Sequence, residues 1–452
     1  MIQNSPDNNI HFLKQIGKGA FATVWQAIHP KTGTILAVKV FDKSNISNSH
    51  VRLEKVKKEI EIMKEIEHPL VCTFFGDFEN SDKIYICQEF ISNGTLLDYI
   101  NEKGKLEEIE IRRLFCELLV TIDYLHSNLN LVHHDLKAEN ILLDENFNIR
   151  VIDFGFSCKD NIESFLDENP KSLMKNDSQK NPENNANQTK CGTICYVPPE
   201  IFLSENLQQF ANSHKKYDIW SMGVILYTMA TGFLPFDGQN DIEIAEKIVY
   251  IEPEYPKSLN PKLVDLIKSM LRKNQLRRIT LNEIKKHPWI SQTELTFISR
   301  LTPTNSTLKY HNFDKDVLLQ MSSMDYDVSK LEDQQKHQKF PEEELFVYRI
   351  LDSQKKSTFI KNVIEGKIAN SQLNQGNYHR RHTTNFPLEE EILTPTLRKR
   401  EFSAPNFQTS QKHRIDQRKY HRVRISSRKN LKLCSLKNKL TNSSSILPSA
   451  FG

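Results

Sequence analysis

The 452 residues of this chain encode an α+β protein with a small β-rich lobe, a larger helical lobe and a long polar tail. Three observations predict this. Apolar runs rich in β-branched and aromatic residues, bounded by Gly, Pro or Asn, crowd the first 90 residues. Helix-period patterns dominate from there to Trp289. Beyond Trp289 the hydrophobic pattern thins to one island at 314–353 and then gives way to polar and basic residues.

Taken in order, strands are expected at 12–17, 23–28 and 35–41. A helix follows at 51–67, stopped at His68-Pro69 because proline excludes the preceding residue from helical backbone. Two more strands, 72–79 and 83–90, complete the small lobe. Helical periodicity then marks 111–127 and 219–231. Residues 160–190, rich in Asn, Ser, Asp and Lys, have no hydrophobic period and read as a mobile loop. The island reads as three short helices, and 354–452 as a disordered tail.

A composition of 38% hydrophobic and 26% charged residues suits a globular core. No apolar run reaches eighteen residues, so no membrane-spanning helix is expected. Residues 1–9 lack the apolar stretch of a signal peptide, and Ile2 stands where N-myristoylation needs glycine. The seven cysteines are scattered. The nearest pair, Cys191 and Cys195, fits neither a zinc nor a redox motif, so free thiols in a reducing compartment are expected. Net charge is only +4, but residues 400–452 hold twelve Lys or Arg against Glu401 and Asp416. Such a tail suits an acidic partner, an anionic membrane surface, or simple solvation. The compartment expected is cytoplasmic, nuclear or membrane-peripheral.

The chemistry concentrates in Val-His-His-Asp135-Leu-Lys137-Ala-Glu-Asn140 and the later Val-Ile-Asp153-Phe-Gly. Asp135 and Asn140 are five residues apart, and Asp153 follows thirteen later. Phosphoryl transfer needs such a set: one carboxylate to accept the proton of the attacking hydroxyl, and an amide and a second carboxylate to hold magnesium. Upstream, Ile16-Gly17-Lys18-Gly19-Ala20-Phe21-Ala22-Thr23-Val24 lies between two strands, and its glycines allow backbone amides to approach phosphates. A strand follows it, which argues against a dinucleotide-binding fingerprint. Lys39 lies inside the apolar run Ala37-Val38-Lys39-Val40, where a lysine is costly unless paired. Val56 and Met63 place Glu59 beside the apolar face of the expected helix, with Glu61 pointing elsewhere.

Together these residues resemble a eukaryotic serine/threonine protein kinase, nearest the calcium/calmodulin and AMP-activated-type group, across about 280 of 452 residues. The resemblance implies a bilobal protein kinase fold over 12–290 and transfer of the ATP γ-phosphate to protein Ser/Thr hydroxyls. In it Asp135 is the catalytic base and Lys137 touches the γ-phosphate. Asn140 and Asp153 hold Mg²⁺, and Lys39 pairs with Glu59 and the ATP phosphates. The glycine-rich stretch, Ala37 and Leu142 line the nucleotide site, Glu89 and Ile91 offer backbone to adenine, and Gln88 is the gatekeeper. Thr193 bonds the catalytic aspartate and lysine. Thr189 is the expected phosphorylation site of the activation segment. Glu200 is expected to pair with Arg278, and Asp218 to bond the catalytic-loop backbone. His134 stands where the family has an arginine that grips the phosphorylated segment, so dependence on that phosphate is in question. Asn93-Gly94-Thr95 lacks the glutamate linked to arginine-directed substrates, and no calmodulin-target helix follows Trp289. The island is similar to a ubiquitin-associated-like module, with Asp325 where that module has glycine. The rival classes are a pseudokinase scaffold, which the complete residue set disfavours, and a small-molecule kinase, which the stretch from Thr193 to Glu200 disfavours.

Overall fold

The structure, a computed structural model, describes residues 3–4, 10–19, 22–46, 50–159, 194–203, 214–301, 313–334 and 342–364. The segment expected to be a mobile loop, with Thr189 and Thr193, lies outside them, as do Ala20, Phe21 and everything beyond 364.

The small lobe is built on six antiparallel strands. In chain order they are β1 (Gln3–Asn4), β2 (His11–Lys18), β3 (Ala22–Ile28), β4 (Ile35–Asp42), β5 (Phe74–Glu79) and β6 (Lys83–Glu89), arranged β1-β2-β3-β4-β6-β5. Between β4 and β5 lie the short α1 (Lys43–Ile46) and α2 (His50–Glu65). Strand periodicity decides where Lys39 goes. Leu36, Val38 and Val40 on β4 are buried in the sheet core, so Ala37 and Lys39 take the other face. On α2, Val56, Ile60 and Met63 form a buried stripe, and Glu59 sits within it at 6% exposure. The helix ends two residues before the expected Glu67. The extra strand β1 pairs Gln3 with Phe12 and Asn4 with His11; its polar sequence gave no hydrophobic alternation by which to expect it.

In the large lobe come α3 (Leu96–Lys103), α4 (Glu108–Asn128), β7 (Leu131–Val132), β8 (Ile141–Leu143), β9 (Ile149–Val151), β10 (Cys158–Lys159), α5 (Glu200–Leu203), α6 (Lys215–Thr231), α7 (Asp241–Tyr250), α8 (Pro261–Met270), α9 (Leu281–Lys285) and α10 (Gln292–Leu301). Thr95 and Asp98 close α3 with a reciprocal capping box. Every residue of α6 from Asp218 to Ala230 is buried, the signature of a helix inside a core. Gly223 allows this: a Cβ there would come within 2.9 Å of Leu271 and Met270. Backbone bonds tie the lobes behind the hinge, Cys72 N–H to Val151 O at 3.0 Å and Val151 N–H to Leu70 O at 2.9 Å.

The island forms α11 (Lys315–Ser323), α12 (Ser329–Gln334) and α13 (Glu342–Ile364) around its own core of Val317, Met321, Leu331, Val347 and Leu351. Two expectations need correction. The third helix is long, at 23 residues, and 354–364 is helical rather than disordered. The cause is tertiary. Gln354 donates to Thr34 at 2.9 Å, Lys356 pairs with Glu67, and Lys355 bonds Asp314 at 2.7 Å, so polar residues without a hydrophobic period are held from outside. The same helix seats Phe346 over Gly76, where a Cβ would lie 2.9 Å from the ring.

Candidate active site

The deepest part of the site is a buried carboxylate. Asp218, near the start of α6, accepts the His126 ring at 2.8 Å and the backbone N–H of His133 and His134 at 2.9 and 3.0 Å. Burial alone would raise its pKa, but the bond from His126 and the nearby imidazoles bring it down to about 2. Three donors on one ionised group fix the backbone just before Asp135. His134 (φ 62°) and Asp153 (φ 66°) both hold left-handed backbone, uncommon without glycine and sustained here by the surrounding bonds.

Asp135 is buried, and its Oδ2 accepts Lys137 Nζ at 2.6 Å and Asn140 Nδ2 at 3.0 Å. Asn140 also donates to the Asp135 carbonyl at 2.8 Å. Its amide group is thus directed at Asp135, which leaves the side-chain carbonyl as the atom for a cation. Burial opposes the Lys137 charge, but Asp135 beside it holds the ammonium above the usual lysine range.

Across the cleft, Lys39 Nζ reaches Glu59 Oε1 at 2.7 Å and Asp153 Oδ1 at 3.3 Å. Burial disfavours the ammonium, yet Asp153 and Glu59 together hold it charged, above an ordinary lysine. In turn Lys39 lowers the Asp153 pKa. Burial pushes Glu59 up and the same ammonium opposes it. Gly155 keeps this corner open, since a Cβ there would sit 3.3 Å from both Asp153 Oδ1 and Glu59 Oε2.

The remaining expected positions fall as follows. Ile16, Gly17 and Lys18 end β2, Gly19 follows it, and Ala22, Thr23 and Val24 open β3, with Gly19 N–H on Ala22 O at 2.6 Å. Lys39 pairs in register with Val24, and Ala37 with Gln88. Gln88 donates to Met63 Sδ at 3.5 Å, which ties its side chain to α2. Glu89 bonds Thr73 O through its N–H at 2.9 Å, Ile91 is buried, and Leu142 on β8 bridges Thr95. The Arg278 guanidinium grips Glu200 with two bonds of 2.8 Å, as expected.

His134 is half-buried, with its ring packed against its neighbours. Its ring meets Tyr217 edge-on at 5.2 Å and His214 at 5.7 Å, and its Nδ1 lies 3.5 Å from Cys158 Sγ. Burial pulls its pKa down to about 4. Two nearby cations that could replace an arginine there are engaged elsewhere: Lys159 pairs with Glu65, and Arg150 lies 3.0 Å from Asp144 and 3.8 Å from Glu89. His126 was not expected; a histidine on an otherwise apolar helix face was the available signal. Cys72, whose thiol reaches Glu89 O at 3.4 Å, gave none.

The protein kinase domain family matches residues 10–290. Among relatives, SNF1-related protein kinase catalytic subunit alpha KIN12 of Arabidopsis thaliana is 31% identical over 363 residues, 79% of this chain and 67% of that protein. Serine/threonine-protein kinase SIK2 of Gallus gallus is 35% identical over 277 residues, 61% of this chain and 31% of that protein.

The buried His29 and His68 and the half-buried His134 set a pH response. Burial lowers His29 to about 4, His68 to about 3 and His134 to about 4. Below pH ~6.5 the unfolded chain takes up protons that the folded chain refuses, so this stability is present above that pH and lost as pH falls toward 4. The urea midpoint is expected to be flat above pH 7 and to drop between 6.5 and 4. A midpoint unchanged down to pH 4.5 would show that these imidazoles do not stay neutral in the folded protein.

Proposed function

The chain belongs to the protein kinase family, in the AMP-activated-kinase-related serine/threonine group, and we propose that Lys39, Glu59, Asp135, Lys137, Asn140 and Asp153 carry its phosphoryl transfer. The observation behind this is the paired arrangement: Lys39 held between Glu59 and Asp153, and Asp135 held between Lys137 and Asn140.

Protein kinases of this family use ATP and Mg²⁺. The residues present fit both. The Asn140 carbonyl and the Asp153 carboxylate are hard oxygen donors of the kind Mg²⁺ takes. The charged Lys39 suits phosphate oxygens, and the Gly17–Gly19 backbone allows close approach. ATP bound with Mg²⁺ supplies the phosphoryl group and neutralises its charge. The protein's part is positional and electrostatic. Asp135 receives the proton of the substrate Ser or Thr hydroxyl at its carboxylate and orients that oxygen. Lys137 and Lys39 hold positive charge where negative charge gathers, and Glu59 keeps Lys39 in place. The hinge backbone at Glu89 and Ile91 offers an acceptor and a donor for adenine. Thr193 is assigned its role from sequence alone.

Lys39→Met and Asp153→Asn should each lower peptide phosphorylation by at least about a hundredfold while the protein stays folded, as checked by circular dichroism. Near-normal rates in either variant, assayed with radiolabelled ATP, would remove the assignment and favour a scaffold.

The half-buried, neutral His134 cannot make the bidentate grip on a phosphate that arginine makes. We therefore read the enzyme as active without a phosphate at Thr189. Thr189→Ala should keep its rate within about tenfold of wild type at pH 7.5, a loss of 1.4 kcal/mol or less in barrier terms. A hundredfold loss would mean another group reads the phosphate.

No helix among the described residues is long and apolar enough to cross a membrane. The twelve cations of 400–452 suit an anionic membrane surface or acidic partner at about 1 kcal/mol each when close to it. Removing 400–452 should leave peptide phosphorylation intact and abolish co-sedimentation with phosphatidylserine vesicles at low salt; co-sedimentation that survives the deletion would exclude the tail.

A further inference from the structure

The large lobe carries a groove that shares no residue with the catalytic cluster. Its volume is about 580 Å³, and Lys268, Arg272, Lys273 and Arg277 line it against a single carboxylate, Glu252. Its floor is fixed. Lys273 donates to Ile248 O at 2.6 Å and lies over the Phe236 ring at 4.1 Å. Lys268 lies over the Tyr255 ring at 5.1 Å, and that ring meets Tyr227 at 5.9 Å. Arg272 and Arg277 are exposed.

Tyr255 and Lys268 also line a second groove of about 390 Å³, walled by Pro256, Leu259, Pro261 and Val264, with Lys257 and Asp265 as one charge of each sign. The two therefore form one trough, cationic at one end and mainly apolar, with balanced charge, at the other. Large apolar side chains next to its lining in sequence are left open to solvent: Ile251 at 55% and Leu276 at 82%. Isolated exposed apolar residues are ordinary, but here they flank a concave surface with an uneven charge balance.

We propose that this trough docks a segment of a partner protein in which aliphatic side chains adjoin a run of glutamate or aspartate. Charge complementarity supplies the choice. Four cations around one concavity favour carboxylates, with Arg272 and Arg277 able to take them bidentately. The apolar end selects a polypeptide, because a nucleic acid backbone offers it nothing and a flat membrane cannot enter a concave wall. Burial brings Lys273 down to about 8, so an anion beside it stabilises its charged form.

The test is fluorescence anisotropy with the full chain and a labelled peptide of two leucines followed by four glutamates. The controls are peptides with glutamine for glutamate or serine for leucine. Tail binding is separated by Arg272→Glu/Arg277→Glu, whose side chains are exposed, with phosphorylation of a short neutral peptide as the check on folding. Support is a loss of about tenfold or more in affinity in the double variant and with the glutamine peptide, and about fivefold with the serine peptide. Equal binding by the double variant would assign the interaction to the tail and overturn the proposal. So would tighter, equally variant-sensitive binding of single-stranded RNA or phosphatidylserine vesicles.

Discussion

The catalytic arrangement hangs from one ionised group, the Asp218 carboxylate, which has no exposure to solvent. A charge in that position is expensive unless its oxygens are filled. Here His126 and two backbone N–H groups fill them, and those N–H groups belong to the residues immediately before Asp135. The group is carried by α6, which is buried along nearly its whole length. The aspartate thus converts the rigidity of a core helix into the fixed, left-handed backbone at His134. Loss of that carboxylate would leave three donors facing a dry interior.

The opposite wall is positioned by a different means. Lys39 faces the cleft because strand periodicity gives the other face to Leu36, Val38 and Val40, and Glu59 meets it because helical periodicity sets it in an apolar stripe. Neither partner would be tolerated alone at that depth. Asp153 completes the triad from the large lobe, so the triad itself registers how the two lobes stand.

This explains what could be read from the sequence. Lys39, Glu59, Asp135, Asn140 and Asp153 were legible because each sits in a local period or motif that the fold then follows, and the Glu200–Arg278 pair was legible through the same resemblance. The extent of α13, the small strand β1 and the engagement of Arg150 and Lys159 were not. The extent of α13 and the engagement of Lys159 are decided by partners far along the chain, Glu67 for Lys356 and Glu65 for Lys159, and a window of neighbouring residues carries no trace of them; β1 and Arg150 pair nearer by, with His11, Phe12 and Asp144, but no hydrophobic period marks those pairings. His134 lay between the two cases. Its chemistry raised the doubt about phosphate recognition, but only packing against Tyr217 and His214 shows that its ring turns inward.

The strand order leaves β5 at the edge of the sheet, and β5 with its neighbour Phe346 is rich in aromatic rings. An uncovered edge of that kind is a template for pairing with another chain. Here α13 runs along it, Arg349 donates to the Phe75 carbonyl at 3.2 Å, and Phe346 fills the notch above Gly76. The island therefore covers this edge of the sheet. A catalytic domain cut off before residue 313 would keep its cleft intact and yet present a bare aromatic strand edge, so its colloidal behaviour would differ from that of the longer chain.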